Sequence, residues 1–106
     1  MLEWFGLSEG REKLKREAIG STKMKRLGRL LEIPQYQVVG ILESLWHTTA
    51  KEAPQGNIGK LSNEDIALGI EWMGDPQALI SALVQSRWLD EQDDARLVVH
   101  DWHLHC

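Results

Sequence analysis

The chain has 106 residues, 42% of them hydrophobic and 26% charged, with a formal net charge of −4. That length buries one core and leaves no room for a second domain of similar size. No apolar run reaches the roughly 18 residues of a membrane span, the start MLEWFGLSEG lacks the pattern of a signal peptide, and the lone Cys106 cannot form an intrachain disulfide, so a cytoplasmic protein is expected.

Residues 2–7 set Leu2, Trp4, Phe5 and Leu7 around Glu3 and Gly6, the pattern of a short strand or an anchoring segment. Ser8 offers an N-cap to EGREKLKREAI, a polar helix with a thin apolar stripe of Leu14 and Ala18. Gly20 and Ser21 break it, so residues 1–21 read as a basic helical extension and residues 22–106 as the domain proper. Residues 1–30 hold eight basic side chains against four acidic, a net of +4, whereas the rest holds four against twelve, a net of −8. A phosphate-seeking surface is therefore expected near the N-terminus, on Lys23, Lys25, Arg26 and Arg29 within the domain. The alternative is a solvated helix face held by local pairs such as Glu12 with Arg16.

TKMKRLGRLLEI places Met24, Leu27, Leu30 and Leu31 at helical spacing, with Pro34 as its end. From Gln35, the positions Val38, Val39, Leu42, Leu45, Trp46 and Thr49 follow the period of a long amphipathic helix. AKEAPQGNIGK is a loop, in which Ile58 is a candidate for a short strand beside a later hairpin. A further helix is expected to run to about Glu71, with Ser62 as its N-cap, Asp65 as the capping partner and a Leu61–Ile66 staple.

Gly74 and Asp75 make a turn, and Asp75-Pro76 starts another helix, which buries Leu79, Ile80, Leu83 and Val84. Gln77, Ser81 and Gln85 are left on its outer face. RWLDE and RLVVHD then flank Gln92, Asp93, Asp94 and Ala95 as an antiparallel hairpin. The fold class is mainly α with a small β-hairpin, an α+β arrangement in the order of a winged helix-turn-helix with extra N-terminal helices. The tryptophans Trp4, Trp46, Trp72, Trp88 and Trp102 read as packing residues.

In such a fold the second helix of the pair meets the major groove, which makes Gln77, Ser81 and Gln85 candidate base readers. Arg87 and Arg96 stand on the hairpin stems, where they either contact phosphate or pair with a neighbouring aspartate. Asp90, Glu91, Asp93 and Asp94 oppose a phosphate backbone, so the hairpin tip is expected to face away from DNA or toward a protein. His103, His105 and Cys106 are zinc-ligand types, but they lack the paired spacing of a structural site; local satisfaction of His100 at the core edge is the plainer reading. No nucleophile with a base and orienting group, and no glycine-rich phosphate loop, is legible, so neither catalysis nor a cofactor is expected.

KMKRLGRLLEIP, VVGILESLWHTTAKEAPQGNIGKLSNEDIALGIEW, GDPQALISALVQSRWLDE and LVVHDW together resemble the N-terminal winged-helix domain of phage and prophage replication proteins, the DnaD-like replisome organisers. The resemblance covers about residues 22–105. It implies a DNA-replication or DNA-binding accessory domain that often self-associates. The stretch SEGREKLKREAIG is longer and more basic than that pattern. Two readings follow: a nonenzymatic DNA-binding accessory, or an acidic protein-interaction module that oligomerises or occupies a nucleic-acid-binding partner.

Overall fold

The computed structural model describes residues 21–102, and the expected N-terminal helix, Trp4, His103, His105 and Cys106 lie outside them. Within that span the chain forms four helices and a two-stranded antiparallel hairpin. The helices are α1 (Thr22–Leu31), α2 (Gln35–Glu52), α3 (Asn63–Ile70) and α4 (Pro76–Gln85), and the strands are β1 (Leu89–Gln92) and β2 (Arg96–Val99). A single 3-10 turn, Ile58–Lys60, precedes α3.

Cap chemistry sets the helix limits. Ser21 accepts from the Met24 amide at the start of α1, and Ser62 accepts from the Asp65 amide at the start of α3. At α4 the Asp75 carboxylate accepts from the Gln77 amide, while Pro76 fills a position whose N–H has no helical acceptor. The helix α1 stops at Leu31, ahead of Pro34, because Glu32 turns left-handed and the Ile33 amide donates back to the Gly28 carbonyl. Glu71 ends α3 in the same way, one residue short of the expected end.

The core is continuous from Met24 and Leu27 through Val38, Leu42 and Leu45 to Ile66, Leu79, Leu83, Leu89, Leu97 and Val99. Helix α1 packs on α2 and α4, α3 packs between α2 and α4, and β1 lies against α4. Leu30 points to solvent, whereas Ile41 and Ala82, outside the expected core set, are buried. Trp46 meets Trp88 edge to face at 6.3 Å, and Trp102 donates its indole N–H to the Pro54 carbonyl. Trp72 is half-buried, with its indole N–H on the Asp75 carbonyl. Trp46 and Trp88 thus join α2 to the residue before β1, and Trp102 fastens the chain after β2 to the loop after α2. Trp72 stays within the α3–α4 turn, and the buried Trp88 indole N–H has no hydrogen-bond partner among the described residues.

The segment around Ile58 is a 3-10 turn where a strand was expected. Gly56 takes a φ of +92°, which turns the chain, and Gly59 presses against the Ala95 carbonyl and the Leu97 backbone. One strand-like bond survives, from the Val99 amide to the Gly56 carbonyl at 3.0 Å. The outer edge of β2 is thus covered by a loop rather than by a third strand. Gln92, expected in the hairpin turn, pairs with Arg96 as the last rung of the ladder.

Candidate nucleic-acid interface

Helix α4 buries Leu79, Ile80, Ala82 and Leu83, so Gln77, Ser81 and Gln85 fall on solvent about one turn apart, with Ala78 also exposed. All three expected residues stand on one exposed face, and Gln85 Nε2 donates to Ser81 Oγ at 2.8 Å. The hairpin runs alongside. Between the two lies an open groove of about 370 Å³, lined by Ile80, Val84 and Leu97 and bordered by Ser81, Gln85, Glu91 and Arg96. Glu91 and Leu97 are cross-strand partners and share a sheet face, which puts a carboxylate at the groove beside the neutral helix face.

Arg96 neither reaches outward for phosphate nor pairs with an aspartate. Its backbone is left-handed, φ +67°, and its guanidinium folds back onto the start of α3. Nε donates to the Gly59 carbonyl at 3.1 Å, Nη2 to the Leu61 carbonyl at 2.5 Å and Nη1 to Asn63 Oδ1 at 2.8 Å. Asn63 Nδ2 in turn donates to Gln77 Oε1 at 2.8 Å. One chain of bonds therefore links β2, the first turn of α3 and the first turn of α4, across a cleft of about 670 Å³ at the two helix starts.

Lys23 is likewise drawn inward. Its ammonium lies 4.2 Å from the centre of the Trp88 ring, a cation-π contact. Burial pushes its pKa below the ordinary lysine value and nearby Arg87 adds to that, while Asp101 and Asp90 act in the opposite direction. Beside it, His100 sits between two carboxylates, with Nδ1 2.8 Å from Asp90 Oδ2 and Nε2 3.2 Å from Asp101 Oδ2. His100 is thus satisfied at the core edge, and Asp90 belongs to this cluster rather than to the free acidic tip.

What remains exposed divides by sign. Lys25, Arg26 and Arg29 project from α1, and none has a side-chain partner among the described residues. Glu91, Asp93 and Asp94 project equally free at the hairpin. Arg87, left-handed at the end of α4, is exposed near Lys23. Asn63 was not singled out from the sequence; a polar residue following an N-cap serine is too common a pattern to mark it. Among the described residues, no three His, Cys, Asp or Glu side chains are placed to hold a metal ion, and no helix is long and apolar enough to cross a membrane.

The described chain is thus a small, mainly helical α+β domain with an antiparallel hairpin beside its last helix. No protein-family model matches it, nor does any curated protein or solved structure.

Proposed function

We propose that the chain is a nonenzymatic DNA-binding accessory domain of the winged-helix type, of the kind carried by phage replication proteins. In this reading α3 and α4 form the helix-turn-helix, α4 is the recognition helix and the hairpin is the wing. The observation that carries it is the uncovered α4 face, where Gln77, Ser81 and Gln85 stand in a row beside a groove bordered by the hairpin. Amide and hydroxyl groups of this kind match base edges in the major groove. Phosphate affinity then falls to Lys25, Arg26 and Arg29, with Arg87 beside the hairpin, since Lys23 and Arg96 are committed within the fold.

A second reading, a module that docks a basic nucleic-acid-binding protein, is favoured by a different observation. The free carboxylates Glu91, Asp93 and Asp94 lie at the hairpin, and Leu68 and Met73 are 74% and 94% exposed around the α3–α4 turn. Exposed apolar side chains on a small domain suit a protein contact.

Titration of a labelled duplex by fluorescence anisotropy separates the two. The DNA reading predicts binding at micromolar protein in low salt, weakening steeply as salt rises. Absence of any anisotropy change in low salt would sink it and leave the protein-docking reading in place.

A further inference from the structure

We propose that Arg96 and Asn63 fix the orientation of the Gln77 amide, so that Gln77 turns its NH2 donors toward the groove and favours guanine over adenine. This rests on the winged-helix reading of α4. The polarity of the relay follows from chemistry at its first member. A guanidinium only donates, so the atom of Asn63 that faces Arg96 Nη1 at 2.8 Å is the carbonyl oxygen. The other arm of the Asn63 amide is then the NH2 group, and its partner on Gln77, 2.8 Å away, is an acceptor. One lone pair of Gln77 Oε1 is thereby engaged, which turns the carbonyl toward Asn63 and leaves Nε2 as the arm directed away from it.

Gln77 is exposed and borders both the cleft at the helix starts and the groove beside the hairpin. Adenine is read by a glutamine that offers carbonyl and amine side by side, accepting from N6 and donating to N7. With the Gln77 carbonyl turned toward Asn63 and one of its lone pairs held there, that side-by-side pairing is disfavoured. Guanine presents two acceptors, N7 and O6, which suit a donor-only group, and cytosine presents a donor, which does not. Arg96 and Asn63 are thus positioning residues for Gln77.

The test uses the full chain and a duplex pool with randomised positions, sequenced after selection. The position under Gln77 is the one whose preference disappears in Gln77→Ala. Wild type is expected to favour guanine over adenine there by roughly five-fold or more. Asn63→Asp keeps an acceptor for Arg96 and places a second acceptor toward Gln77, which turns the Gln77 carbonyl outward. Its preference should move to adenine or cytosine, bases with an exocyclic amine, while the protein still binds duplex. An adenine preference in wild type, or the same guanine preference in both proteins, overturns the proposal and leaves DNA binding standing. Failure of wild type to bind any duplex at micromolar protein in low salt overturns the DNA reading, and this proposal with it.

Discussion

Arg96 donates through Nη1 to Asn63 Oδ1 at 2.8 Å, joining the start of β2 to the first turn of α3 across 33 residues of sequence. The same guanidinium holds two backbone carbonyls of the loop ahead of α3, so one side chain fastens the hairpin, the loop and α3, and Asn63 carries the link on to α4. Arg96 takes left-handed backbone to do this, a conformation that disfavours a side chain.

The two effects can be separated by mutation. Arg96→Ala loses the three bonds and keeps the strained backbone, with an expected cost of about 2 kcal/mol. Arg96→Gly loses the same bonds but relaxes the left-handed residue, so its cost should be smaller, about 1 kcal/mol. Urea unfolding of both variants checks the order, and equal costs would mean that the positive φ stores no strain.

The loop over the hairpin sets a second expectation. A Cβ at Gly59 would overlap the Ala95 carbonyl and the Leu97 backbone, atoms that cannot rotate away. Gly59→Ala should therefore destabilise by about 3 kcal/mol, the scale of overpacking against rigid neighbours. Gly40, in the middle of α2, has nothing within 4 Å of an added Cβ. Gly40→Ala should stabilise by about 0.8 kcal/mol through helix propensity alone. Thermal melts of the two variants should shift in opposite directions.

Ser62 and Asp75 accept from amides within three residues and Pro76 lacks the N–H that the first helical position leaves unpaired, so both caps and the start of α4 are legible locally. The outer face of α4 follows in the same way from the spacing of Leu79, Ile80 and Leu83. Arg96 and Lys23 are different. Their charge invites a phosphate role, and only the tertiary fold shows Arg96 turned onto Asn63 and Lys23 laid on Trp88, 65 positions away in the numbering. Ile58 fails for a related reason: its apolar character suits a strand, but Gly56 and Gly59 bend the chain onto β2.

Lys23 also makes stability respond to alkaline pH. Burial lowers its folded-state pKa below 10.5, so the folded chain gives up this proton before the unfolded chain does. Between the two pKa values the unfolded state binds more protons, and stability rises with pH across that window. The penalty for burying the ammonium is present in full below the folded pKa and gone above 10.5. Wild type should therefore gain stability relative to Lys23→Met as pH climbs toward 10.5, measured by urea unfolding at a series of pH values. A difference that stays flat with pH would contradict it.

The central claim is that α4 presents its outer face to DNA while α1 supplies the phosphate contacts. Amide chemical shifts of the isotopically labelled chain, followed during addition of a short duplex, test it most directly. The account predicts that Gln77, Ser81 and Gln85 shift together with Lys25, Arg26 and Arg29, and that the shifts reverse when salt is raised. Shifts confined to Asp93, Asp94 and their neighbours at the hairpin tip, or no shifts at all in low salt, would contradict it.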